Sequence, residues 1–179
     1  SGLDAGGTAY TATATATATI APTPTPTPIL VATVSLPIAT INTSVTNFTQ
    51  PVVTSTINPS DNLVGFQGDF TYDSAIVSFT TPQVQPAGLT ASNWNVSSNI
   101  LNTGPGTIKT LRISAFSLDF TPLSGSGTLF NLNMTRVSST PGASTALTWV
   151  APPNNFVFID GNNLDTHAPG STPPGSITI

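Results

Sequence analysis

Residues 63–72 read Leu63-Val64-Gly65-Phe66-Gln67-Gly68-Asp69-Phe70-Thr71-Tyr72, and this stretch decides the fold class. Large apolar side chains recur at every second position. Val64, Phe66, Phe70 and Tyr72 fall on one face with Gly68 among them, while Gln67, Asp69 and Thr71 fall on the other. Period two is that of a β-strand with one face in a core and one towards solvent. Asp73-Ser74 follows as a turn signal, and residues 75–79 make the next short strand.

The same pattern repeats on both sides. Upstream, 29–36 reads as a strand ending at Pro37, and 52–57 as a second closed by Asn58-Pro59-Ser60-Asp61. Downstream come 94–98, 107–116 (Leu111, Ile113 and Ala115 inward) and 128–137 (Phe130, Leu132 and Met134 inward). Residues 145–150, 155–159 and 176–179 complete the series. No stretch has the periodicity of an amphipathic helix. About nine or ten strands between Gly, Pro, Asn and Ser turns predict an all-β, antiparallel two-sheet sandwich.

Residues 1–28 have a different grammar. Positions 11–19 alternate Thr and Ala, and 22–28 alternate Pro and Thr. The Pro/Thr tract cannot enter a sheet interior, because every other residue lacks an amide donor. As a semi-rigid spacer it spans about 20 Å. The proline-free part, 8–20, is a workable strand of about 40 Å rich in β-branched Thr, with Tyr10 and Ile20 as larger anchors. The chain therefore divides into an arm, 1–28, and a domain, 29–179. The arm has no core of its own, so it is either a solvated linker or a strand lent to a neighbour.

Composition narrows the function classes. Only 6% of residues are charged, against roughly 25% in ordinary soluble domains. All the acids are aspartates, the bases are Lys109, Arg112 and Arg136, and the net charge is -4. So thin a charge leaves no footprint for nucleic acid or an anionic membrane. Solubility must come from Thr, Ser, Asn and Gln, which suits an extracellular or cell-surface protein. Cysteine is absent, so neither disulfides nor thiolate chemistry enter. There is no apolar run long enough for a membrane span. Ser1-Gly2-Leu3-Asp4 has neither a basic start nor an apolar run, so an exported protein would be met here in processed form.

The order of motifs resembles a cohesin module. Val34-Ser35-Leu36, Asp61 to Phe66, Phe70-Thr71-Tyr72-Asp73 and Ile76-Val77-Ser78-Phe79 resemble the first half of that family, with Ser74 where a Pro is usual. The segment from Gly106 to Ala115, then Leu123 to Leu129 (a "L-x-G-x-G-x-L" turn and strand), then Gly175 to Ile179 resemble the second half, with Pro174 where Asp is common. The resemblance covers roughly residues 30–179. It implies a nine-stranded jelly roll and, from the best-known members, a dockerin-bearing partner; other cohesin-like domains sit in surface proteins without cellulosomes.

Candidate sites are few. An enzyme needs paired acids or a nucleophile with a base. His167 and Asp165 lie near each other without either, so His167 reads as an exposed loop residue and the chain as no enzyme. Solvent exposure accounts for Asp69, and turn chemistry for Asp73. Asp160, Asn162 and Asp165 gather oxygen ligands loosely as calcium loops do, but without an EF-hand's terminal Glu; an Asp-Gly turn is the simpler reading, and no other cofactor is expected. Lys109, the single lysine, shares a strand face with Leu111 and Ile113. It is either an isopeptide lysine of the surface-adhesin kind or a strand-end lysine reaching water. Asn42, Asn47, Asn95 and Asn133 head N-glycosylation sequons. Thr23, Thr25 and Thr27 are candidate O-glycan carriers.

Three functional expectations follow. In the first, copies of the chain polymerise head-to-tail into an extracellular filament, the arm (Thr8, Tyr10, Thr11, Thr13, Thr15, Thr17, Thr19 and Ile20) docking on a neighbour's sheet edge. In the second, the domain is a cohesin-type module that captures a dockerin-bearing partner, and the arm is a glycosylated linker. Carbohydrate binding is a third, weakened because Trp94 and Trp149 are too few and fit a core.

Overall fold

The computed structural model describes residues 2–3, 5–7, 9–10, 32–102 and 104–179. Near the N-terminus β1 (Gly2–Leu3) and β2 (Ala9–Tyr10) form an antiparallel pair, Gly2 opposite Tyr10. Thr8, residues 11–31 (the threonines at 11–27 and Ile20 among them) and Thr103 lie outside the described residues.

The domain is built of β3 (Val34–Ser35), β4 (Ile38–Thr40), β5 (Asn47–Ile57), β6 (Leu63–Asp73), β7 (Val77–Pro86) and β8 (Trp94–Leu101). Then come β9 (Ile108–Ser117), β10 (Gly125–Arg136), β11 (Ser144–Trp149), β12 (Val157–Asp160), β13 (Thr166–His167) and β14 (Gly175–Thr178). Helix among the described residues is limited to two 3-10 turns, Pro59–Asp61 and Gly88–Thr90. One sheet has four strands in the order β3-β5-β10-β7. The larger has eight. From its edge, β8 pairs β9 and β9 pairs β6. The far flank of β6 is shared: β12 covers Leu63–Gln67 and β11 covers Phe70–Thr71. Taking β3/β4 and β11/β12 as interrupted single strands and setting aside two-residue β13 leaves nine strands, the number the cohesin resemblance implies.

Phe66 joins the two sheets. Its ring lies 5.6 Å from Phe130 of the small sheet, 5.9 Å from Trp94, 5.7 Å from Phe156 and 6.5 Å from Phe158. Phe70 continues the core against Trp149 and Phe79. Each buried aromatic contributes about 1.5–3 kcal/mol. The large side chains at alternate positions thus form the core that the 63–72 pattern requires.

Several boundaries differ from the sequence expectation, each for a physical reason. The strand expected over 29–36 is reduced to Val34–Ser35 among described residues. The amides of Val34 and Leu36 donate to the carbonyls of Ser171 and Pro173, and after Pro37 the chain changes sheets. There β4 pairs β14 in parallel, so the sandwich is not wholly antiparallel. Gly175 permits this crossing, since a Cβ there would lie 2.2 Å from the Pro37 carbonyl oxygen. The strand expected at 52–57 starts at Asn47 and runs through Pro51. Its neighbour β3 covers only Val53 and Thr54, which leaves Pro51 on an uncovered flank where proline is tolerated. Pro82 and Pro86 likewise lie in β7, an edge strand that extends well past residue 79. Val64 is not in the core cluster; Leu63 is. The register against β12 slips between Ile159 and Asp160, which re-aims Val64 away from the face shared by Phe66, Phe70 and Tyr72.

Candidate functional site: the outer face of the large sheet

Alternation fixes what the outer face of β8, β9, β6 and β12 displays. Leu111, Ile113 and Ala115 point inward and are buried, so Arg112, Ser114 and Phe116 point outward. Cross-strand register sets Asn95 and Gly65 beside Phe116, Ser97 and Gln67 beside Ser114, and Asn99 and Asp69 beside Arg112. The centre of the face is therefore a polar lattice holding a single ion pair.

That pair is the first departure from expectation. Asp69 is 4% exposed, not solvated. The segment between β11 and β12 covers it: the Asp69 amide donates to the Asn154 carbonyl, and its carbonyl accepts from the Val150 amide. Arg112 grips the carboxylate with two bonds, Nε to Oδ1 at 2.8 Å and Nη2 to Oδ2 at 2.7 Å, and reaches Asn154 Oδ1 at 3.3 Å. The Asp69 hydrogen bonds, then its charge, raise the guanidinium above its ordinary value. Arg112 itself stays 46% exposed at the mouth of a polar cleft lined by Gln67, Ser114, Pro153 and Asn155. A planar, half-exposed guanidinium held in place by a buried acid suits recognition of a partner's carbonyls or carboxylates.

Gly68 makes the covering segment fit. It takes an inward position between Phe66 and Phe70, where a Cβ would lie 2.7 Å from Phe156 Cα. Any side chain here would push Phe156 out of its contact with Phe66 and lift the segment off Asp69.

One end of the face is apolar. Val64, Ala115, Phe116, Phe120, Ile159 and Leu164 line a shallow cleft. Phe116, Phe120 and Leu164 are 51%, 70% and 66% exposed. Phe120 and Leu164 both adopt left-handed backbone, φ 59° and 60°, a conformation that costs a bulky residue about 1–3 kcal/mol. Aspartate-capped turns hold them there. Asp119 Oδ1 accepts from the Thr121 amide, and Asp160 Oδ1 from the amides of Asn162 and Asn163. Sequence reasoning missed this cleft, because its residues come from three strands and two loops. The available signal was an apolar residue inside each of two Asp-started turns, Asp119-Phe120 and Asp160 to Asp165.

The remaining candidates are placed as follows. His167 is not an exposed loop residue: it lies in β13, its side chain 19% exposed, with Nε2 2.7 Å from Asp160 Oδ2. The His167 hydrogen bond and the turn amides hold the Asp160 carboxyl below its usual value. Asn162 Oδ1 accepts from Asn62 Nδ2, while Asp165 is exposed and its carbonyl accepts from the Asp160 amide. These residues form a tied Asx turn. Asp73 starts a turn as expected, its Oδ1 accepting from the Ala75 amide. Lys109 Nζ donates to the backbone carbonyls of Asn102 and Gly104 and joins neither ion pair found among the described residues. Trp94 and Trp149 are core residues at 7% and 8% exposure.

Of the sequon asparagines, Asn42 closes a turn with Ser44, and Asn47 Oδ1 accepts from Thr135. Asn133 Nδ2 donates to the Pro82 carbonyl. Asn95 is exposed on β8, on the outer face itself. Among the described residues no three His, Cys, Asp or Glu gather as metal ligands, and no helix is long and apolar enough to cross a membrane.

No protein-family model and no curated protein sequence matches this chain. Solved structures do. A type I cohesin–dockerin complex from Clostridium thermocellum matches with TM-score 0.64 at 12% identity, over 83% of this chain and 99% of that one. The cohesin CaCohA2 from Clostridium acetobutylicum matches with TM-score 0.58 at 21% identity, over 83% and 90%. A non-cellulosomal cohesin from the archaeon Archaeoglobus fulgidus matches with TM-score 0.54 at 14% identity, over 83% and 89%. Nine strands, two sheets and these superpositions agree: the domain is a cohesin-like jelly roll.

Proposed function

We propose that this chain is a cohesin-type binding module that captures a dockerin-bearing partner on the outer face of its large sheet. It is a non-enzymatic part of an exported, cell-surface protein. The observation that carries this reading is the half-exposed Arg112, fixed by buried Asp69 among uncharged neighbours at the centre of the face. Aromatic and arginine anchors inside a polar surround are the residues that dominate protein interfaces. Similar structures that are themselves cohesin–dockerin complexes support the choice of partner. The Thr/Ala and Thr/Pro arm serves as a glycosylated tether, and Asn95 stays unmodified because a glycan there would stand on the docking face.

Capture is better supported than head-to-tail assembly through the arm. Tyr10 pairs with Gly2 of its own chain, and residues 11–20 lie outside the described ones. The test is calorimetric titration of the chain with dockerin modules encoded in the same genome. Binding by the parent, abolished by Ser114→Arg and untouched by Thr49→Arg on the opposite sheet, is the expected result. Binding lost equally in both variants, or in neither, overturns the reading.

A further inference from the structure

The apolar cleft at the Phe116 end has an electrostatic setting that names its occupant. Two exposed acids adjoin its lining residues in sequence, Asp119 beside Phe120 and Asp165 beside Leu164, while Asp160, beside Ile159, is buried and bonded to His167. Asp119 is bonded to neutral donors, the Thr121 amide first, then the Thr121 side chain, Ser117 Oγ and Asn93 Nδ2, and these hold its carboxyl below the usual range. Apart from His167, which is taken up by Asp160, the basic side chains are elsewhere. Lys109 is at the opposite end of β9, about 23 Å away along the strand; Arg112 is neutralised by Asp69, and Arg136 is in the other sheet. An exposed apolar cleft whose neighbouring exposed acids, Asp119 and Asp165, join neither ion pair found among the described residues complements one kind of surface.

We propose that this cleft receives an aliphatic or aromatic side chain flanked by lysine or arginine on a partner polypeptide. The inference rests on the capture reading and adds a partner chemistry to it: the apolar anchor fills the space between Phe120 and Leu164, and the adjacent cations meet Asp119 and Asp165. The two left-handed residues are then docking walls, held outward by their Asp-capped turns instead of folding against the sheet.

The experiment is an amide chemical-shift titration of the intact chain with a short amphipathic peptide of lysine and leucine. A counterpart carrying glutamate in place of lysine is the control. The lysine peptide should shift Phe116, Phe120 and Leu164 saturably, and the glutamate peptide should not. Leu164→Ser and Asp165→Lys, both at exposed positions, should each weaken the response about fivefold or more, and raised salt should weaken it further. Equal responses to the two peptides, shifts centred elsewhere, or variants without effect overturn the proposal. A dockerin that binds Leu164→Ser and the parent alike, with no peptide response, sinks this inference and leaves the capture reading standing. Peptide binding at the cleft by a chain that takes no dockerin does the reverse.

Discussion

The two outer faces of the sandwich are made of similar residues and put them to opposite uses. On the small sheet, Thr49 donates to Asn133 Oδ1, Thr135 donates to Asn47 Oδ1, and Asn133 Nδ2 bridges to Pro82 and Gln85. Arg136, at the end of β10, spends its guanidinium on the carbonyls of Val45 and Ser138. That face closes on itself. On the large sheet, Arg112 is anchored but half exposed, and Phe116, Phe120 and Leu164 remain uncovered. On the capture reading, a polar β-face becomes a recognition surface through donors and apolar area left over after internal bonds are made, not through composition.

The comparison breaks first if the large sheet cannot hold its shape. Phe66→Ala should cost about 3–5 kcal/mol, because it removes a ring packed against four others across both sheets; chemical denaturation measures it. Gly68→Ala should cost about 1–3 kcal/mol by forcing Phe156 aside, with loss of partner binding as Asp69 is uncovered. An alanine tolerated at no cost would contradict the close approach.

Arg112→Ala should cost about 1–3 kcal/mol, less than breaking a fully buried pair, since the space vacated by a half-exposed side chain lets water reach Asp69. Partner affinity should fall by more than stability does, whereas Arg136→Ala should spare affinity.

Acid provides a finer test. The folded-state pKa of Asp160 lies below its unfolded value of 3.8. Its stabilisation is therefore complete above that value and is lost as pH falls through the depressed one. Thermal midpoints recorded from about pH 5 down to about pH 2.5 should fall less steeply in Asp160→Asn than in the parent; parallel curves would contradict the role given to the His167 and turn-amide contacts of Asp160.

The smallest effect is expected at Leu164. Leu164→Gly should leave stability unchanged or raise it by up to about 1 kcal/mol by releasing left-handed strain, while still costing affinity for the partner. A residue holding the fold together would do the opposite.

The inward side of this contrast was legible in the sequence. Alternation at 66–72, 111–115 and 130–134 placed the core correctly, because a β-strand's faces follow parity. Parity failed at Val64, where a bulge shifts the register; at Asp69 it gave the right face, but not the burial, which depends on a segment more than eighty residues later. His167 was misplaced because, although the Asp160-Gly161 turn was legible, nothing local shows that it brings Asp160 against His167. The apolar cleft was illegible because it is assembled from β6, β9, β12 and two loops. Ordered motifs carried the jelly roll; the surface that uses it depends on tertiary neighbours.

The central claim is that the large sheet's outer face is where the partner docks. An amide chemical-shift map of the chain saturated with a cognate dockerin tests it most directly. Perturbations confined to outward residues of β8, β9, β6 and β12, with Arg112 and Phe116 among the largest, are the predicted result. Perturbations centred on β5, β10 and β7 would contradict it.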